Sequence, residues 1–217
     1  MAEDEEIRNA LKGVESLYSG TVSEHGIDSR SIGSPNPAAQ PLRFEQLAYV
    51  LKTDEGGPRT VNDWGCGYGS MFRFLDEREG FTLERYYGYD VSRAMLDAAR
   101  THVPDPRAEW IHSSEISHDA DYSFVAGAFN VRMDASDAAW KAYVESVLRE
   151  LYTHSRRGLA FNLLTTYVDW RKDDLFYADP VAFFSFCKRE LSRYVTLIHD
   201  YPLYEWTIVV RRDAPRP

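Results

Sequence analysis

TVNDWGCGYGS, Thr60 to Ser70, is the stretch around which the chain can be read. An apolar residue, Val61, and an acid, Asp63, precede three glycines at alternate positions, Gly65, Gly67 and Gly69. Glycine is required where backbone bends sharply or lets a ligand come close, because it has no Cβ to clash. In an open α/β sheet that bend belongs in the first strand-to-helix turn, at the carboxyl edge where ligands bind. The dinucleotide fingerprint G-x-G-x-x-G would place its last glycine where Ser70 stands. A carboxylate two residues before the first glycine also repels a pyrophosphate, and suits a cationic group better. The stretch therefore reads as a nucleotide-type cofactor loop, with a dinucleotide disfavoured.

A second signal follows at Tyr86 to Ala99, YYGYDVSRAMLDAA, where an apolar run ends in Asp90, 21 residues after Gly69, and a helical pattern begins. Together the two stretches resemble the class I methyltransferases that use S-adenosylmethionine (SAM), most strongly over residues 59 to 131. The resemblance implies an α/β fold: a Rossmann-like, seven-stranded, mostly parallel sheet with a C-terminal antiparallel hairpin and helices on both faces. It implies that Asp63, Gly65, Cys66, Gly67 and Gly69 form the SAM loop and that Asp90 holds the ribose; the competing role for Asp90 is to cap the helix that follows. Val91 and Met95 then offer apolar surface to the adenine, or serve as core. The family's adenine-binding acid after the third strand is replaced here by Ser113, Ser114 and Glu115, so Ser114 or Glu115 stands in for it.

With 217 residues and 44% hydrophobic content the chain can bury one sizeable core, and length favours a single domain, 1-217. Residues 1-57 read as a helical and lid-like extension, residues 58-217 as the cofactor-binding core. A formal charge of −9 argues against a nucleic-acid partner, whose binding rests on lysine and arginine displacing counterions. The longest apolar runs, such as Trp206 to Val210, are far too short for a membrane span. The opening is acidic at Glu3 to Glu6, without the basic and apolar segments of a secretory leader, which points to the cytoplasm. Cys66 and Cys187 are isolated, so neither a disulfide framework nor a zinc site is suggested. Cys66 between two loop glycines needs only to be small; a nucleophile there is the alternative.

Upstream of the loop, Ile7, Leu11, Val14, Leu17 and Tyr18 have helical spacing over residues 3 to 18. Ser19 to Pro41, rich in Ser, Gly, Pro and Asn, reads as irregular structure and a candidate lid carrying His25. A second helix, Leu42 to Leu51, is stopped by Gly56, Gly57 and Pro58. The resemblance makes Arg43 the candidate partner of the SAM carboxylate, against the reading of a solvated arginine; a guanidinium grips a carboxylate with two hydrogen bonds.

Downstream, a helix is expected over Ser70 to Glu79 and strands over Glu84 to Tyr89, Arg107 to His112 and Tyr122 to Ala128. His112, Glu115 and His118 lie at a strand end and loop, not on a helix, so no metal is expected. The turn Gly127 to Val131 falls where acceptor meets methyl group in this fold. Its Asn130 either positions acceptor or cofactor, or caps a turn. No Asp-Pro-Pro-Tyr or Asn-Pro-Pro-Tyr signature of base-amino methylation is present, which together with the charge lowers a nucleic-acid substrate. Trp140 to Leu151 is a clean helix, with Arg156, Arg157 and Gly158 fitting its end, and Leu159 to Leu164 a fifth strand. Thr165 to Asp179 is an aromatic connector that either lines an acceptor pocket or anchors itself to the core. A helix over Pro180 to Glu190 and a hairpin of Tyr194 to His199 with Glu205 to Arg211 complete the chain.

The expected activity is transfer of the SAM methyl to a small-molecule nucleophile, leaving S-adenosyl-L-homocysteine. His25, His199 and Tyr18 are the candidates for taking a proton, with Asn130 for positioning. Two other readings share these features: a SAM-fold binding or regulatory protein without catalysis, and a nicotinamide-dependent oxidoreductase, which the glycine spacing opposes.

Overall fold

The computed structural model describes residues 2–34 and 36–213; Met1, Pro35 and residues 214–217 lie outside that description. Strand β1 (Pro58–Trp64) lies centrally, parallel to β2 (Thr82–Asp90) on one side and to β4 (Ala120–Val125) on the other. Beyond these, β3 (Ala108–His112) pairs in parallel with β2, and β5 (Ser155–Thr165) with β4. The last strand, β8 (Glu205–Arg211), runs antiparallel to β5 and makes a hairpin with β7 (Tyr194–Ile198). The order is β3-β2-β1-β4-β5-β8-β7, and a two-residue strand, β6 (Tyr177–Ala178), joins the end of β5. The expected mostly parallel sheet with its terminal antiparallel hairpin is present, with one short strand more than expected.

Successive strand side chains point to opposite faces, and the core divides accordingly. One apolar cluster holds Val61, Tyr86, Phe124, Ala160 and Val209, covered by α2 (Ala39–Leu47) and α3 (Ser70–Asp76) through Leu47 and Leu75. The other holds Tyr89, Val125, Phe161 and Trp206, covered by α5 (Asp137–Thr153) and α6 (Pro180–Phe186) through Trp140 and Phe183. The helix α4 (Arg93–His102) starts where the Ser92 hydroxyl accepts the Met95 N–H at 3.2 Å, an N-cap that stabilises the first turn. No helix among the described residues is long and apolar enough to cross a membrane.

Several boundaries correct the sequence reading. The stretch from Ser19 does not begin as irregular structure: α1 (Ala2–His25) runs through it, and a 3-10 turn forms at Ser29–Ile32. Burial explains the extension, since Val22 packs with Tyr68 and Met95 in an apolar cluster that also draws in Tyr18 and Ile32. The segment after α1 is folded back onto the helix, the Thr21 hydroxyl donating to the Ser31 carbonyl at 2.7 Å. Arg156, Arg157 and Gly158 belong to β5, not to a helix end. Gly158 is there because a Cβ would lie 2.7 Å from Val50 Cγ2 and 2.9 Å from the Val210 carbonyl. The fourth strand ends at Val125, three residues early, and the helix after the glycine loop ends at Asp76. A single π-helical turn, Cys187–Leu191, continues α6.

Candidate active site

Because β2 and β4 flank β1 on opposite sides, a crevice opens beyond the carboxyl end of β1, where the chain order reverses. A cavity of about 570 Å³ occupies it. The glycine loop and Asp90 form one wall, α1 roofs it with Val14, Leu17 and Tyr18, and Asn130 and Glu205 stand at the other end. The roof is tied down beside the pocket, Ser19 Oγ lying 2.9 Å from Ser92 Oγ.

The three loop glycines have different jobs. At Gly65 a Cβ would fall 2.2 Å from the Ala128 Cβ, and at Gly69 it would fall 2.5 Å from Trp110 Cη2. Both positions are closed by the protein's own packing, and Gly69 does not line the cavity. Gly67 does line it, with φ of 54°, and a Cβ there would meet only Ile32 Cγ2 at 3.4 Å. Its open side is the cradle a bound nucleoside group would use. Cys66 is buried beside it, and burial followed by the charges of Asp90 and Asp63 pushes its thiol well up, the opposite of an activated nucleophile.

Asp63 is 1% exposed. The Tyr86 hydroxyl donates to its Oδ2, while Oδ1 is buried with no hydrogen-bond partner among the described residues. Burial first, and then the Asp90 charge, raise its pKa from 3.8 to about 7, opposed by the Tyr86 hydrogen bond. A buried carboxylate with one unpartnered oxygen, on a residue that lines the cavity, fits a cationic donor such as the ammonium of SAM. Asp90 is also pushed up by burial, against hydrogen bonds from the N–H groups of Ser92 at 2.8 Å and Gly67 at 2.9 Å. Its two oxygens thus each hold one backbone donor and keep lone pairs for hydroxyls. Val91 and Met95 line the cavity next to it, Met95 fully buried.

Arg43 is not a solvated arginine. It is buried in the cavity wall, and its Nε and Nη2 donate to Glu205 Oε2 and Oε1 at 2.8 and 2.5 Å. Burial disfavours its charge, but the hydrogen bonds and charge of Glu205 outweigh that and raise its pKa. Glu205 Oε2 also accepts from Asn162 Nδ2 at 2.7 Å, and Asn162 Oδ1 accepts the Gly127 N–H at 2.8 Å. This chain of polar contacts leads to Asn130, whose Oδ1 accepts the Leu164 N–H at 3.2 Å and whose carbonyl accepts from Phe176 at 2.8 Å. Asn130 lines the cavity while pinning the turn after β4 to β5 and to the aromatic connector.

The remaining expected site residues divide. Tyr18 lines the cavity, its hydroxyl pushed up to about 12 by burial and by Asp90. His25 ends α1 outside the cavity lining, with Nε2 3.8 Å from Glu24. His199 is exposed and packs against Tyr167 at 5.8 Å between ring centres, also outside it. Neither Ser114 nor Glu115 lines the cavity: the Ser114 carbonyl is held by Trp64 Nε1 at 2.9 Å and Glu115 faces solvent, while Ser113 takes the lining position. From the connector, Lys172, Asp174 and Leu175 line the cavity, whereas Phe176 is buried and Tyr167 and Trp170 are exposed. Sequence reasoning missed Tyr86, Asn162 and Glu205. An acid heading the mostly apolar strand Glu205–Arg211 was the one visible signal.

A parallel sheet reversing at its first strand, a glycine turn behind an acid and a second acid closing the next strand define a Rossmann-like class I methyltransferase. The methyltransferase domain family matches residues 61–158. The Mycobacterium tuberculosis protein Rv1506c, named a methyltransferase, is 48% identical over 160 residues, which cover 72% of this chain and 95% of that protein. The N-demethylindolmycin N-methyltransferase of Streptomyces griseus is 31% identical over 90 residues, 37% of this chain and 36% of the relative. Among solved structures, the complex of DhpI with S-adenosylhomocysteine is similar at a TM-score of 0.62 with 17% identity, over 96% of this chain and 99% of that one. The chain belongs to the SAM-dependent methyltransferases, with SAM as methyl donor and S-adenosylhomocysteine as product.

Proposed function

We propose that the protein methylates a small-molecule nucleophile by in-line displacement, with residues 1–57 acting as the cover of the site. The observation that carries this reading is the cavity itself. At about 570 Å³ it lies within the roughly 300–1,000 Å³ of small-ligand sites, and it extends past the cofactor loop to Asn130, Leu164 and Leu203. The Streptomyces relative, named for the N-methylation of N-demethylindolmycin, points the same way.

In this reading Asp63 takes the ammonium, Asp90 the ribose hydroxyls, Val91 and Met95 the adenine face, and the side of Arg43 not used by Glu205 the carboxylate. SAM supplies an already activated sulfonium methyl. The residues therefore need chiefly to align the acceptor and exclude water, the first through the Asn130 turn and the second through α1. Tyr18, held protonated well above neutral pH, is a hydrogen-bond donor to the acceptor in this reading rather than a base.

Melting the protein with SAM, S-adenosylhomocysteine or NAD tests the first half, since a ligand that binds only the native state raises apparent stability. Stabilisation by NAD alone would overturn it. Incubation with SAM and a whole-cell extract tests the second half, the expected product being a metabolite heavier by one methyl group. Transfer only to macromolecules in that extract would sink the small-molecule reading.

A further inference from the structure

The hydroxyl of Tyr86 is buried and touches the cavity only through Asp63. It sits on β2, is fully buried, and its ring is fixed between Phe72 at 5.4 Å and Trp110 at 5.5 Å between centres. Its one polar contact among the described residues is the hydrogen bond to Asp63 Oδ2. That contact leaves Oδ1 as the carboxylate oxygen without a partner, and Asp63 lines the cavity.

We propose that Tyr86 is the positioning residue for the cofactor's cation: it anchors one oxygen of Asp63, presents the other to the ligand, and favours the ionised form of that carboxylate. The inference rests on Asp63 receiving the SAM ammonium. Three titratable groups surround Asp63. Asp90, at the end of β2, repels its charge. Cys66, in the loop, is driven to stay a neutral thiol. Tyr86 itself is pushed well up by burial and by Asp63, so it can only donate. The neighbours paired with Asp63 in the sheet, Gly88 on β2 and Phe124 on β4, add no charge. Tyr86 is therefore the one group here that favours the ionised form, against burial and Asp90. A hydroxyl donated to a charged oxygen lowers a carboxyl by about one pH unit or more. The consequence is a cofactor site that closes by protonation just below neutral pH, with its midpoint set by a residue that never touches the ligand.

The test is the pH dependence of S-adenosylhomocysteine affinity, measured by calorimetry between pH 5.5 and 9 for the wild type and Tyr86→Phe. The wild type is expected to weaken below about pH 7, where Asp63 gains a proton. Tyr86→Phe should move the midpoint up by about one unit while affinity at pH 9 stays within a few fold. An unmoved midpoint with the same loss at every pH would mark Tyr86 as structural only and overturn the proposal. Should Tyr86→Phe not fold, 3-fluorotyrosine placed at position 86 keeps the shape and donates more strongly. It should move the midpoint down, and an unchanged midpoint overturns the proposal equally. A wild type that binds no SAM or S-adenosylhomocysteine at any pH would overturn the cofactor assignment itself, a result distinct from binding with an unmoved midpoint.

Discussion

Arg43 and Glu205, 162 positions apart in sequence, form a two-bond ion pair in the wall of the cavity beyond β1. The pair joins α2 to the first residue of the last strand and so closes the N-terminal segment onto the far end of the sheet. Removing either partner strands the other as a buried, unpaired charge, which costs about 3–5 kcal/mol, whereas an apolar replacement of both is close to neutral. Arg43→Met should therefore lower the urea midpoint strongly, and Arg43→Met with Glu205→Leu should recover most of it, at an unchanged denaturant slope. A double variant no more stable than the single would refute the pairing as the cause.

Asp63 sets a stability penalty that depends on pH. Burial raises its folded-state pKa from 3.8 to about 7, so the native state holds this proton more tightly than the unfolded chain. The associated stability is complete below about pH 4 and is lost as pH rises through 7. Asp63→Asn, which has no charge to bury, should melt close to the wild type at pH 4 and above it at pH 8. It should also lose the stabilisation by SAM at both. Equal melting differences at the two pH values would contradict the burial argument.

The loop glycines should separate fold from ligand. Gly67→Ala carries only the strain of a positive φ, about 1–2 kcal/mol, because little stands where its Cβ would go. Gly65→Ala adds a collision with Ala128, an overpacking cost of about 1–3 kcal/mol beyond the same strain. The expected outcome is a Gly67→Ala protein that is folded but bound poorly by SAM, and a Gly65→Ala protein that is markedly less stable even without ligand. Calorimetric melting and a binding titration read both.

His25→Gln and His199→Gln should leave turnover nearly unchanged, because neither ring lines the cavity. Loss of a proton-transfer base costs about a hundredfold or more. A drop of that size in either variant, measured as S-adenosylhomocysteine release with the extract component that accepts the methyl group as substrate, would place that histidine in the reaction after all.

What could be read along the chain was whatever lay in one strand, turn and helix. Asp63, Gly67 and Asp90 fall in two continuous segments, and pleat, bend and helix start fix their positions within a few residues of each other. The same locality explains the misplacements. Ser19 to His25 looked irregular by composition, yet burial of Val22 against Tyr68 and Met95 holds it helical, and that contact spans the chain. Gly158 looked like a helix stop because the close approach of Val50 and Val210 that requires it is invisible locally.

By itself, then, the sequence determined the alternation that builds the sheet and the place of the glycine turn, since periodicity and turn chemistry act between near neighbours, and the resemblance carried by Asp63, the glycines and Asp90 implied the methyl donor. Only the tertiary structure decided which loop glycines line the cavity, that Tyr86 is hydrogen-bonded to Asp63, that Arg43 is paired with Glu205, and that His25 and His199 stand apart from the cavity. Those outcomes depend on side chains from distant segments competing for the same buried space and the same hydrogen-bond partners, and that competition is resolved only when the sheet is assembled.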